Sequence, residues 1–186
     1  MQMYLARVVR AYATGTTGTL YSMDVSQIIE VRMAVKHKAD TTTRKAVGDF
    51  MLSETHAVNV KSNNIKKQNY SPNIISIKRM HEWVYEKRND LSFLFVDYEM
   101  RDGDPWILNE SGLIPIEKIS WDCLSIEAQG YGVIQKVKEL EILDAQTKRG
   151  FYKGFLEAYN KFLMKEKRKH EEFAKKLIAD LDSIDW

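Results

Sequence analysis

The residues of this sequence with the clearest chemical potential are Asp49, Asn59 and Lys61, which form the pattern D-x9-N-x-K. Successive side chains of a strand alternate between its faces, so residues 59 and 61 would share a face, and a short hairpin would bring Asp49 beside them. An acid, a second oxygen ligand and a lysine could together hold Mg2+, position a water and stabilise a phosphorane-like transition state. Taken alone, the pattern is weak, because an acid and a lysine near strand ends more often belong to a solvated strand face.

The segments around these residues predict a hairpin and a buried neighbouring strand. AVGDFML from residue 46 and HAVNVKS from residue 56 are short β-like runs joined by a turn at 53–55. A short helix N-capped by Ser26 is predicted before them. LSFLFVDYEM at 91–100 is a nearly continuous apolar run, typical of a buried central strand.

The remaining elements are predicted from apolar spacing. Apolar residues recur every three or four positions from Asn73 to about Asn89, which predicts an amphipathic helix. Short strands are expected over 105–108, 113–119 and 123–128, and a long helix from about Lys148 to Leu181. This order predicts an α/β fold in which helices flank a mixed sheet.

Composition narrows the class of protein. The sequence has 186 residues, 44% of them apolar, which suits one domain. It has no bilayer-length apolar stretch and no signal-peptide centre near its start, so we expect a cytoplasmic protein without membrane contact. The single Cys123 excludes an internal disulfide framework and a cysteine zinc site. The loop around Gly15 and Gly18 lacks the Walker lysine pattern, so no nucleotide cofactor is expected.

Charge is distributed unevenly along the chain. Residues 1–88 contain 14 Lys and Arg against 7 Asp and Glu, whereas residues 89–144 contain 4 against 12. A basic half would suit phosphate binding, because each neutralised phosphate releases counterions. Such asymmetry also occurs in soluble proteins that bind no nucleic acid, and a scaffold with a basic face stays open as an alternative.

Residues 58–76, VNVKSNNIKKQNYSPNIIS, closely resemble the corresponding stretch of the HincII restriction endonuclease family, a member of the PD-(D/E)xK nuclease class. VK at 60–61 and PNIIS at 72–76 stand at the family's separation. FVDYEM at 95–100 resembles its next core strand, and ISW at 119–121 resembles a segment that approaches DNA. The resemblance implies a restriction-endonuclease-like α/β/α sandwich that works as a homodimer on palindromic double-stranded DNA with Mg2+.

The same resemblance assigns roles by position. Asp49 matches the first metal-binding aspartate, Asn59 the second acidic position and Lys61 the catalytic lysine, while the Val60 carbonyl would face the metal. Tyr70 falls where a side chain wedges into the base stack, and Asn73 matches a base-contacting asparagine. The base that Asn73 would contact by this resemblance is a purine, and an asparagine can make a bidentate pair with adenine in the major groove. The other residues expected to contact DNA are Ser62, Asn64, Lys66, Lys67, Ser76 and Ser120.

The implied organisation is a single nuclease domain over 1–186. It would comprise an N-terminal loop and helix (1–45), a catalytic core (46–130) and a C-terminal helical segment (145–182). The chain is shorter than typical members of the family, mostly before residue 46, and Ser120 is smaller than the family's polar contact residue.

Asn59 is the main departure from the family pattern. An amide oxygen binds Mg2+ more weakly than a carboxylate and adds no negative charge, so cleavage should be poor. Asn59 is either an inactivating substitution or the natural residue, and Glu30 or Glu54 could supply the missing charge. The sequence therefore predicts a type II site-specific endonuclease, with a catalytically silent DNA-binding module or a repair or phage nuclease of the same fold as alternatives.

Overall fold

A computed structural model describes residues 24–39, 47–67, 71–127 and 131–182 of the chain. These residues form two compact units. The first contains the described residues up to Lys67 together with Arg79–Ile116, and the second contains Ser71–Lys78 together with the described residues from Glu117 onward. The predicted loop at 13–22 and the predicted wedge residue Tyr70 lie outside the described residues.

The first unit is built on a five-stranded mixed sheet preceded by a helix. In chain order its elements are α1 (Val25–Lys36), β1 (Phe50–Ser53), β2 (His56–Asn64), β4 (Asp90–Arg101), β5 (Asp104–Glu110) and β6 (Ile114–Pro115). The strand order is β1-β2-β4-β5, and β6 also pairs with β4. β2 and β4 run parallel, whereas the other pairs are antiparallel. The predicted hairpin and central strand are thus both present.

Alternation along β2 separates core side chains from polar ones. Val58 and Val60 are buried in a cluster with residues of α1, β1 and β4, whereas Asn59 and Lys61 lie on the other face of the strand. The cluster consists of Ile29, Met33, Ala34, Phe50, Val58, Val60, Leu94, Val96 and Tyr98. Its apolar contacts fix the register that presents Asn59 and Lys61 together.

Helix α1 begins two residues earlier than the sequence predicted. Its N-cap is Asp24, which makes no side-chain capping hydrogen bond, and Ser26 lies inside the first turn. Arg32 anchors the helix to the sheet through a two-oxygen contact with Asp104 at 2.8 Å. Lys36 forms a second ion pair with Glu110.

The helix predicted to begin at Asn73 begins later, so that prediction was wrong for its first turn. Asn73–Ser76 is a strand, β3, and the helix follows as α2 (Ile77–Met80) and a π-helical segment (His81–Glu86). Ile75 pairs with Ile134 of an antiparallel strand, which gives this isoleucine-rich stretch cross-strand partners that outweigh its helical spacing.

The second unit contains a three-stranded sheet and a long helix. The sheet has the order β3-β8-β7, with β7 at Leu124–Glu127 and β8 at Val133–Lys136. Helix α3 (Lys148–Asp182) confirms the predicted C-terminal helix, and Phe151 and Phe155 pack against Trp121. Of the other weakly predicted strands, 105–108 lies within β5 and 123–128 overlaps β7. In contrast, 113–119 contains only the short β6, followed by a 3-10 turn (Ile116–Lys118) and an isolated bridge at Ile119.

The predicted α/β class with a central mixed sheet is confirmed. The described residues form two compact units, and the expectation that residues 1–186 make up a single nuclease domain stays a prediction. Within the described ranges, the helices are all too short or too polar to serve as candidate bilayer spans.

Candidate active site

Gly48 determines how closely the chain before β1 approaches β2. A Cβ at this position would lie 2.9 Å from the Val58 carbonyl oxygen and 3.0 Å from the Ala57 Cβ, so a larger side chain would push the two segments apart. The next residue continues the contact, because the Asp49 N–H donates to the Val58 carbonyl at 2.8 Å. Gly48 therefore lets Asp49 lie directly against the middle of β2.

The Asp49 carboxylate accepts the backbone hydrogen bond of Val60 that a carbonyl group of a neighbouring strand would otherwise accept. The Val60 N–H donates to Asp49 Oδ2 at 2.6 Å, a short charge-assisted hydrogen bond. The N–H and C=O of one strand residue point to the same side, so the Val60 carbonyl also faces the edge where Asp49 lies. The predicted site residues Asp49 and Val60 are thus brought into direct contact.

Lys61 is half-buried, and its environment acts on its charge in two directions. Burial lowers the pKa of the Lys61 ammonium below its usual value of 10.5, and the negative charges of Asp49 and Glu30 oppose that shift without cancelling it. A lysine with a lowered pKa gives up its proton more readily than an exposed one. The amine therefore lies in the electrostatic field of two carboxylates at the hairpin.

Asn59 is held in one orientation by a backbone contact. Its Nδ2 donates to the Val47 carbonyl at 3.2 Å, so the amide cannot turn over without losing that bond. Its Oδ1 is buried and has no hydrogen-bond partner among the described residues. A buried acceptor without a partner is unfavourable by about 1–3 kcal/mol, which makes this oxygen a ready ligand.

Glu30 and Glu54, the two acids considered as substitutes for a carboxylate at position 59, lie in different places. Glu30 belongs to α1, and its charge acts on Lys61. Glu54 is exposed in the turn between β1 and β2, at the opposite end of the hairpin from Asp49. Glu30 is therefore the acid that adds negative charge to the site.

The residues around Asp49 suit a hard divalent cation that is held weakly. Such ions prefer carboxylate, carbonyl and amide oxygens, and Mg2+ is often bound through only one or two carboxylates. The Asp49 carboxylate, the Asn59 Oδ1 and the Val60 carbonyl supply these three oxygen types. Over the described ranges no group of three His, Cys, Asp or Glu side chains is placed to bind a metal. Ion binding here would consequently depend on few charges.

The side chains expected to contact DNA after Lys61 follow the end of β2. Ser62 and Asn64 are half-buried on the strand, and Lys66 and Lys67 are exposed in the turn that follows it. The Asn64 Oδ1 accepts from the Lys66 N–H at 3.0 Å, which fixes the start of this turn. Lys66 also forms an ion pair with Glu99 at 3.4 Å, so its charge is partly compensated.

The other predicted contact residues lie in the second unit. Asn73 is exposed and Ser76 half-buried on β3. Ser120 is only 2% exposed, and its hydroxyl accepts from the Asp122 N–H as the N-cap of a 3-10 turn (Trp121–Cys123). Ser120 therefore caps this turn, and its expected contact with DNA stays a prediction.

Two polar features were missed by the sequence analysis. Asn63, two residues beyond Lys61 on the same face, donates to Asp97 of β4 at 2.8 Å, and period-two spacing could have identified it. Gln135 of β8 donates to Asn73 at 2.9 Å. This second contact depends on a strand pairing across 62 residues of chain, which no local pattern reveals.

Comparison with known proteins gives a distant structural likeness. No protein-family model matches the chain, and no curated protein matches it. Among solved structures, the NlaIV restriction endonuclease is similar with a TM-score of 0.46 and 15% sequence identity, covering 87% of this chain and 89% of that chain. Identity at this level does not pair individual site residues between the two proteins.

Proposed function

We propose that this chain is a Mg2+-dependent endonuclease that hydrolyses phosphodiester bonds in double-stranded DNA, with Asp49, Asn59 and Lys61 at its centre. The observation that carries the proposal is the environment of Lys61. This amine is half-buried, has a lowered pKa, and lies in the field of Asp49 and Glu30 on the face of β2 that also carries Asn59. A structural surface lysine would need none of these features.

Lys61 would take part in proton transfer and charge stabilisation, whereas Asp49 and Asn59 would bind the metal ion. Hydrolysis adds a water oxygen to phosphorus and releases one sugar oxygen of the broken bond. As a neutral amine, Lys61 can accept a proton from the attacking water; as an ammonium ion, it stabilises the negative charge that develops on the phosphate oxygens. Burial lowers the pKa of Lys61, which favours the neutral amine more than in an exposed lysine.

Asp49, the Asn59 Oδ1 and the Val60 carbonyl would hold the metal ion. Bound Mg2+ supplies Lewis-acid stabilisation of phosphate charge and lowers the pKa of bound water. Asp49 also holds the β2 backbone in place through the Val60 N–H, so one side chain links the metal site to the strand that carries Lys61.

The finer assignment follows the sequence resemblance. A type II restriction enzyme recognises a short palindrome and cuts both strands, which requires two centres related by a twofold axis. We accordingly propose a homodimer that binds duplex DNA through Asn64, Lys66, Lys67, Asn73 and neighbouring polar residues. The amide side chains are suited to base edges and the lysines to phosphates.

A second candidate function is specific DNA binding without cleavage. It is favoured by Asn59, which brings no negative charge, and by the lack of a three-acid metal cluster within the described ranges. In this case Asn59 would be the natural residue and the hairpin would be a remnant of a cleavage site.

Cleavage of a mixed-sequence plasmid in Mg2+ tests the proposal. The original chain would be compared with Asn59→Asp and with Asn59→Asp combined with Lys61→Ala. We expect discrete fragments from Asn59→Asp and none from the double variant. If neither cuts while the original chain still binds duplex DNA, the binding function replaces the catalytic one. If there is neither cleavage nor DNA binding, both candidates fail and the basic-scaffold alternative gains support.

A further inference from the structure

One face of the three-stranded sheet carries a row of uncharged polar side chains, of which Asn73 is exposed and Ser125 and Gln135 are half-buried. Ser125 of β7 pairs with Gln135 of β8, and Gln135 pairs in turn with Asn73 of β3. On either side of this row, Ile126, Ile134 and Ile75 are buried in the second unit. Alternation along β7 and β8 therefore places Ser125 and Gln135 on the face opposite Ile126 and Ile134. Asn73 joins that face because the adjacent Ile74 is buried, and the register shift between Asn73 and Ile75 lets Ile75 be buried as well.

Within this row, the two amides are joined to each other. Gln135 Nε2 donates to Asn73 Oδ1 at 2.9 Å, and this contact lies at the exposed surface. A hydrogen bond between exposed amides adds little stability, because water can replace either partner. Its main consequence is that each side chain limits the rotation of the other.

The joined amides leave a defined set of hydrogen-bonding groups for a ligand. Gln135 uses its Nε2 as donor, so its Oε1 stays available as an acceptor. Asn73 uses its Oδ1 as acceptor, so its Nδ2 stays available as a donor. In the major groove, adenine presents an N7 acceptor and an N6 amino donor next to each other, which complement this donor and acceptor. Guanine presents two acceptors there and would leave the Gln135 oxygen without a donor.

We propose that Gln135 is a specificity-determining residue that acts with Asn73 to recognise adenine in the DNA substrate. This inference rests on the proposed function, since it assigns the base recognised by a protein that binds duplex DNA. Ser125 lies in the same row but donates to Glu127 at 3.1 Å, so it is not joined to the amide pair. Ser125→Ala is therefore a matched control in the same sheet.

The test is selection of bound duplexes from a pool of randomised sequence, with Ca2+ in place of Mg2+ so that the pool is not cut. The full chain would be compared with Asn73→Ala, Gln135→Ala, Gln135→Glu and Ser125→Ala, after thermal unfolding has shown that each variant is folded. We expect the original chain to prefer adenine at one or more positions. Asn73→Ala and Gln135→Ala should weaken that preference at the same positions by roughly 10- to 100-fold, and Ser125→Ala should leave it unchanged.

Gln135→Glu separates base recognition from a structural role. A glutamate keeps the acceptor but cannot donate to Asn73, and an acceptor alone favours the N4 amino group of cytosine. The preferred base should therefore change from adenine toward cytosine, a result that simple loss of packing would not produce. If the Gln135 variants select the same sequence as the original chain, the inference is overturned while the proposed function stands. If the original chain selects no sequence, site-specific binding itself fails and this inference fails with it.

Discussion

In the hairpin of the first unit, the polar groups include an amine in the field of two carboxylates, whereas the polar groups in the row on the three-stranded sheet of the second unit are uncharged amides and a hydroxyl. Burial lowers the pKa of Lys61 and leaves the Asn59 Oδ1 without a partner. Asn73 and Gln135 carry no charge, and their side chains are joined to each other by one hydrogen bond at the surface. The first environment changes chemical reactivity, and the second sets hydrogen-bonding geometry.

Asn59 of the hairpin and Asn73 of the three-stranded sheet differ in the same way. Each has one amide atom engaged: Asn59 through Nδ2 to the Val47 backbone, and Asn73 through Oδ1 to Gln135. The atom that remains is an oxygen in Asn59, suited to a cation, and an amino group in Asn73, suited to a base nitrogen. A strand asparagine can thus serve either role, and its neighbours determine which atom it presents.

The largest effect is expected from Asp49→Asn in the Asn59→Asp background. This change keeps an acceptor for the Val60 N–H but removes the charge that would hold the metal and that raises the pKa of Lys61. We expect cleavage to fall by about 100-fold or more and the Mg2+ concentration for half-maximal rate to rise. Initial rates across a Mg2+ titration measure both, with Ser125→Ala in the same background as the unchanged control. An unaltered Mg2+ dependence would remove Asp49 from the metal site.

A smaller effect is expected from Gly48→Ala, which tests position rather than chemistry. The added Cβ would lie 2.9 Å from the Val58 carbonyl oxygen, so the segment carrying Asp49 must move away from β2. Displacement of a catalytic group by about 1 Å can lower a rate about 100-fold, and overpacking destabilises by roughly 1–3 kcal/mol. Both the cleavage rate, in the Asn59→Asp background, and the urea midpoint should fall. Loss of stability alone would mean that Asp49 keeps its position.

Period-two spacing was sufficient to predict that Asn59 and Lys61 share a face, because strand alternation depends only on local geometry. The hairpin, the buried strand β4 and the long helix α3 were also predictable, because short β-like runs, a continuous apolar run and helical apolar spacing are likewise local patterns. Residues 73–76 were misassigned because their isoleucines fit a helix by spacing, while the β8 partner that makes them a strand is distant in sequence.

The properties that distinguish the candidate site could not be predicted locally. The shifted pKa of Lys61 depends on burial and on Glu30, which lies 31 residues earlier in the sequence. The orientation of the Asn59 amide depends on the Val47 carbonyl, and the structural role of Ser120 depends on its burial. In each case the determining partner is brought near by folding, so a motif can name the residue but cannot give its environment.

Gly154→Ala in the second unit should affect stability without affecting the candidate centre. The new Cβ would lie 2.5 Å from Trp121 Cδ1, and the indole is held by its Nε1–H donating to the Phe151 carbonyl at 2.9 Å. Overpacking of roughly 1–3 kcal/mol should exceed the gain of about 1 kcal/mol from replacing glycine in a helix. Urea unfolding should show a lower midpoint, and cleavage in the Asn59→Asp background should keep its Mg2+ dependence. A changed Mg2+ dependence would show that the two regions are coupled.

The smallest expected effect is a pH-dependent difference in stability between the original chain and Lys61→Met. Methionine fills a similar volume without a charge, so it removes only the titration of this site. Because the folded-state pKa of Lys61 is lowered, the unfolded chain binds more protons between that pKa and about 10.5. The original chain should therefore gain stability relative to Lys61→Met as pH rises through this window, and the relative gain should be lost as pH falls through the folded-state pKa. Urea unfolding of both chains at several pH values from neutral to alkaline measures the difference, with Lys67→Met as an exposed-lysine control. If the difference in unfolding free energy between the two chains did not change with pH, the pKa of Lys61 would be the same in the folded and unfolded states. The contrast between the charged hairpin and the uncharged amides of the three-stranded sheet would then lose its electrostatic basis.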